Sequence, residues 1–70
     1  MSVDLNKIVG ENIRTLRESM GLNSEEFAKL ITIPELRLTQ IEAGNIRATA
    51  DELYDIKTAL KVEVKELYHT

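Results

Sequence analysis

The apolar residues of this chain return at intervals of three and four, and glycine, proline or a pair of capping residues marks the main breaks between them. That period belongs to one face of a helix, whereas a half-buried strand alternates every second residue. Leu5, Ile8, Val9, Ile13, Leu16 and Met20 make the first stripe; Asp4 stands as its cap and Gly21 as its stop, which predicts a helix over 4–20. Asn23 with Glu26, and Thr49 with Glu52, have the spacing of capping boxes, in which each side chain satisfies a backbone N–H left free by the first turn. These predict helices over 24–31 and 50–60, the second with Leu53, Ile56, Ala59 and Leu60 inward. Between them, Pro34 suits the first turn of a helix over 35–43 that turns Leu38 and Ile41 inward and stops at Gly44. The alternation from Val62 to Lys65 reads as a strand in isolation, but the chain offers no second strand to pair with it, so a short helix over 64–68 is expected.

The expected architecture is therefore all-α, five helices in a single domain over 1–70. With 43% hydrophobic but only 4% aromatic residues and no Trp, its core rests on aliphatic side chains. The candidates are Ile13, Leu16, Phe27, Ala28, Leu30, Ile33, Leu38, Ile41, Leu53, Ile56, Leu60 and Leu67. Seventy residues leave no room for a cleft with supporting groups around it. Cysteine is absent and His69 has no second histidine to share a metal with, so neither enzyme, nor metal, nor cofactor is expected. No apolar run is long enough for a membrane span or a signal peptide, and the chain reads as cytoplasmic.

The break between the second and third helices carries the functional information. Ala28 lies four residues before Thr32, and Ile33, Leu38 and Ile41 follow. Two helices joined by so tight a turn cross closely when a small residue such as Ala28 sits at the contact, the pattern of a helix-turn-helix.

From Val9 to Tyr68 the chain resembles the Cro and phage-repressor (XRE-like) helix-turn-helix family. Val9-Gly10 and Ile13-Arg14-Thr15-Leu16-Arg17-Glu18 are similar to the family's first helix, and Gly21-Leu22-Asn23-Ser24-Glu25-Glu26-Phe27-Ala28 to the start of its second. Ile41-Glu42-Ala43-Gly44 resembles the end of its recognition helix, and Ile56, Ala59-Leu60, Val62 and Glu66-Leu67 its closing helices. The resemblance implies a compact lambda-repressor-like bundle and a sequence-specific DNA-binding regulator, a repressor that reads a palindromic operator as a homodimer.

With Leu38 and Ile41 inward, Leu36, Thr39, Gln40 and Ala43 point outward and Glu35 lies on the flank. The resemblance carries base contacts onto this face, and Glu35, Leu36, Thr39 and Gln40 are its candidates. Gln pairs with an adenine edge, Leu meets a thymine methyl and Glu accepts from cytosine N4. Phosphate contacts fall to Ser24 at the opening of the second helix and to Arg37, Asn45 and Arg47. The resemblance also implies a structural ion pair between Arg17 and Glu42.

Charge argues the other way. The formal net charge is -3, and between Leu22 and Ala50 the acidic residues outnumber the basic ones by one, whereas DNA binders usually show a basic stripe. The alternative is a protein-interaction module of the same fold, such as an antitoxin or an antirepressor-like partner. Two further departures from the family are Thr32, where its turn has glycine, and Pro34, where it has a small hydroxyl cap. Val64, Leu67 and Tyr68 crowd the last residues and predict a dimer interface there; the competing reading has Leu67 closing its own core and Tyr68 on the surface.

Overall fold

Asp4 starts the first helix by accepting the Lys7 backbone N–H at 3.2 Å, and α1 (Leu5–Ser19) follows. The computed structural model describes residues 4–70. Both capping boxes close in both directions: Asn23 and Glu26 at 2.8 and 2.9 Å open α2 (Ser24–Ile31), and Thr49 and Glu52 at 2.8 and 3.1 Å open α4 (Ala50–Leu60). Pro34 is the N-cap of α3 (Glu35–Glu42); its φ of -57° suits the position, and no side chain caps the helix. In α5 (Val64–Leu67) the Glu66 carboxylate accepts the Glu63 N–H at 2.7 Å. No strand occurs among the described residues.

Thr32 ends α2 in the left-handed conformation, φ 58° and ψ 44°. The Ile33 N–H bonds back to the Ala28 carbonyl at 3.0 Å across it. The turn thus keeps the shape that glycine normally supplies, with a β-branched residue in it. Lys61 ends α4 the same way, at φ 59°.

The core brings together Val9 and Ile13 of α1, Phe27, Ala28 and Ile31 of α2, Ile33, Leu38 and Ile41 around α3, Ala48, Ile56 and Leu60 around α4, and Leu67 of α5. Leu16 and Leu53 pack against it half-buried. Leu30 departs from the expectation: it is 59% exposed. Phe27, Ala28 and Ile31 define the buried stripe of α2, and at 100° per residue Leu30 lies about 110° from its centre. Leu5 and Met20, at the two ends of the first stripe, are also exposed.

Leu67 corrects the expected dimer patch. It is fully buried in its own chain's core, and only Val64 and Tyr68, at 39% and 41%, keep exposed surface. Asn12 anchors this end by donating from Nδ2 to the carbonyls of Leu67 and His69, both at 2.8 Å.

Where α1 crosses α3 the two backbones nearly touch at Gly10. A methyl group there would lie 2.6 Å from the Glu42 carbonyl oxygen and 2.9 Å from its carbon, so nothing larger than hydrogen fits. That contact sets how closely α3 lies against α1.

Candidate nucleic-acid interface

Arg17 holds α3 in place from behind. Its Nε and Nη2 donate to Glu42 at 2.7 and 2.9 Å, and Nη1 donates to the Leu22 carbonyl at 2.8 Å. One guanidinium thus joins the end of α1, the turn before α2 and the end of α3. The two side chains are only 9% and 6% exposed, and the bonds that Arg17 donates to Glu42 raise its pKa above the ordinary value. The charge of Glu42 is compensated within the fold by Arg17.

With that side pinned, α3 offers its other side to solvent. Leu36 is 71% exposed, beside exposed Glu35 and Ala43, while Thr39 and Gln40 are half-buried. Several of these side chains already have partners. Ser24 Oγ donates to Glu35 at 2.8 Å, linking the first turns of α2 and α3. Thr39 Oγ1 donates to the Leu36 carbonyl at 2.8 Å, and Asn45 Nδ2 donates to Gln40 Oε1 at 2.9 Å.

The structure separates the expected phosphate contacts. Arg37 makes a two-pronged ion pair with Glu52, Nη2 lying 2.8 Å from Oε1, so its guanidinium is engaged with α4 rather than free for phosphate. Asn45 is engaged with Gln40, and the Ser24 hydroxyl with Glu35. Arg47 is exposed and forms no ion pair among the described residues. It sits at the edge of a concavity of about 300 Å³ walled mainly by Leu5, Val9, Ile46, Leu53 and Tyr68.

Two further cations border this surface without having been expected there. Lys7 and Arg14 of α1 line a shallow groove with Thr39 and Ala43 of α3, and the acidic Glu11 and Glu42 line the same groove. Their seven-residue spacing puts them on one face of α1, but which neighbour that face borders depends on the α1–α3 crossing at Gly10. No group of His, Cys, Asp and Glu among the described residues is arranged to hold a metal ion.

A tight left-handed turn between α2 and α3, with α3 locked on one side and open on the other, defines a helix-turn-helix unit. The Helix-turn-helix family model matches residues 13–67. The chain belongs to the XRE-type helix-turn-helix family of DNA-binding transcriptional regulators, which are not enzymes. It is 34% identical over 65 residues to the uncharacterized HTH-type transcriptional regulator y4dJ of Sinorhizobium fredii, an alignment covering 93% of this chain and 84% of that protein. The restriction-modification controller protein C.AhdI from Aeromonas hydrophila superposes with a TM-score of 0.85 at 27% identity, over 90% of this chain and 96% of that one. The clp gene regulator ClgR from Corynebacterium glutamicum gives 0.85 at 22% identity, over 90% and 67%, a likeness of fold alone. No described helix is long and apolar enough to cross a membrane.

Proposed function

We propose that this protein is a cytoplasmic, sequence-specific transcriptional repressor that binds a palindromic operator as a homodimer, each protomer laying α3 in a major groove. The observation that carries this reading is the outer face of α3. Leu36, the most exposed of the large apolar side chains, stands there with Glu35, Thr39 and Gln40 on a helix whose opposite side is clamped by Arg17. An apolar group at a base edge meets a thymine methyl, and the amide of Gln40 hydrogen-bonds a base edge.

Phosphates on either side of the groove fall to Arg47, to the N–H groups opening α2 at Ser24, and to Lys7 and Arg14. Repression then needs only occupancy of the operator. Two protomers joined at their C-terminal ends, through Val64 and Tyr68, hold two recognition helices at a spacing of about 34 Å. Pairing also compensates for the small number of phosphate contacts available to an acidic chain.

The acidity keeps one other reading in play, a module of this fold that meets a basic protein instead of DNA. Anisotropy of labelled duplexes selected from a random pool, followed against salt, separates the two. Affinity for the selected duplex that exceeds affinity for random duplex and falls linearly on a log–log salt plot is the expected result. Failure to enrich any duplex would favour the protein partner.

A further inference from the structure

Gln40 and Asn45 are joined twice. The backbone N–H of Asn45 donates to the Gln40 carbonyl at 3.0 Å, and the Asn45 side chain donates to Gln40 Oε1 at 2.9 Å. Between them lies Gly44, left-handed at φ 78°, whose own N–H bonds to the Ile41 carbonyl at 3.0 Å. This turn lies directly against α1: a side chain on Gly44 would come within 2.7 Å of the Lys7 Cα. Asn45 is therefore carried on a fixed piece of backbone although its side chain is exposed. Gln40, by contrast, ends in an amide that swings about several bonds unless something holds it.

We infer that Asn45 is a positioning residue for base reading: it holds the Gln40 amide by its oxygen, turns the Nε2 hydrogens toward the groove and so selects a base with an acceptor edge. This rests on the proposal that α3 reads DNA, and it replaces the phosphate contact expected of Asn45. The amide oxygen has two lone pairs, one of which Asn45 occupies, while both hydrogens on nitrogen remain free to donate. Purine N7, guanine O6 and thymine O4 are acceptors in the major groove. Cytosine presents a donor there, which would face the Gln40 donor unpaired. Holding the amide beforehand also removes part of the ordering cost that a free glutamine meets on binding.

The test uses the duplex that wild-type protein recovers from a random pool, with each base pair under α3 varied in turn. Asn45→Ala is expected to weaken the recovered duplex about three- to tenfold, to flatten preference at one base pair and to leave the salt slope unchanged. In a Gln40→Ala background it should have no further effect. Asn45→Asp, which only accepts, turns the amide over, and the preferred base at that pair should change to one bearing a donor.

An Asn45→Ala loss that is equal on all duplexes, lowers the salt slope or adds fully to that of Gln40→Ala would overturn the inference. So would an unchanged base preference in Asn45→Asp. Base preferences untouched by Gln40→Ala would instead overturn the reading of Gln40 as a base contact, and failure to recover any duplex would overturn DNA recognition itself. Circular-dichroism melts of each variant separate lost orientation from lost folding, and Asn45→Asp keeps the test decisive if the alanine variant melts early.

Discussion

Arg37 of α3 and Glu52 of α4 form an ion pair across fifteen residues, and Glu52 at the same time closes the capping box of α4 by accepting the Thr49 N–H. One carboxylate thus ties the recognition helix to the start of the helix that follows it. The bonds from Arg37, with help from the Thr49 N–H, lower the Glu52 pKa from 4.5 to about 2. A carboxylate whose folded pKa is depressed contributes fully above its unfolded pKa, and the contribution disappears as pH falls through the folded one. The thermal midpoint should therefore drop between pH 4.5 and 2. In Glu52→Gln that part of the drop should be missing, and the midpoint at neutral pH should already be lower. Identical pH profiles for the two proteins would mean the pair contributes nothing to folding.

Arg17→Ala leaves Glu42 charged and buried with no partner. Removing one member of such a pair costs about 3–5 kcal/mol, most of the stability expected of a chain this small. Replacing both, as Arg17→Met with Glu42→Leu, should cost less than the single change. Urea unfolding of the two variants against wild type measures this, and equal losses for both would show that the apolar replacement packs no better than the stranded charge.

Thr32→Gly should stabilise the protein. The left-handed conformation costs an ordinary residue about 1–2 kcal/mol, and the greater freedom of glycine in the unfolded chain returns about 0.5–1 kcal/mol of that. The net gain expected is about 0–1.5 kcal/mol, visible at its upper end as a rise of several degrees in the thermal midpoint. A lower midpoint would mean that the Thr32 side chain contributes contacts worth more than the strain.

Gln40→Ala and Arg47→Ala should fail in opposite ways. Loss of the proposed Gln40 base contact is expected to weaken the preferred duplex by about 1–3 kcal/mol and leave random duplex nearly unaffected. Loss of the unpaired cation should weaken all duplexes alike and reduce the salt slope by about one. Titrations on both kinds of duplex at several salt concentrations distinguish the two, and parallel losses would remove this division of roles.

Val64→Glu and Tyr68→Glu should shift the protein from dimer to monomer. Both side chains keep exposed apolar surface at the C-terminal end, and a charge on each faces its own image across a two-fold axis. Sedimentation equilibrium at micromolar concentration gives the mass directly. A wild-type monomer there would remove the interface from the proposal.

What could be read in the sequence is what short-range bonds decide. A capping box joins residues three apart and a stripe repeats every three or four, so the placing of all five helices, within one or two residues at their ends, was open to inspection before any contact was known. The break at Thr32 was legible too, but not its left-handed conformation, since a β-branched residue stands there in place of glycine. The site was legible only as a face: Leu36 and Glu35 point outward as the helical period requires, but the partners of its polar groups were not. Ser24 meets Glu35 eleven residues on, Arg37 meets Glu52 fifteen on, and Asn12 reaches Leu67 across fifty-five. Each of those pairings depends on the angle at which helices cross, and no local pattern encodes that angle. The close approach at Gly10 and the burial of Ile31 in place of Leu30 are set by the same crossings. The sequence offered Leu67 both as a core residue and as part of a dimer patch, and the packed bundle decides for the core.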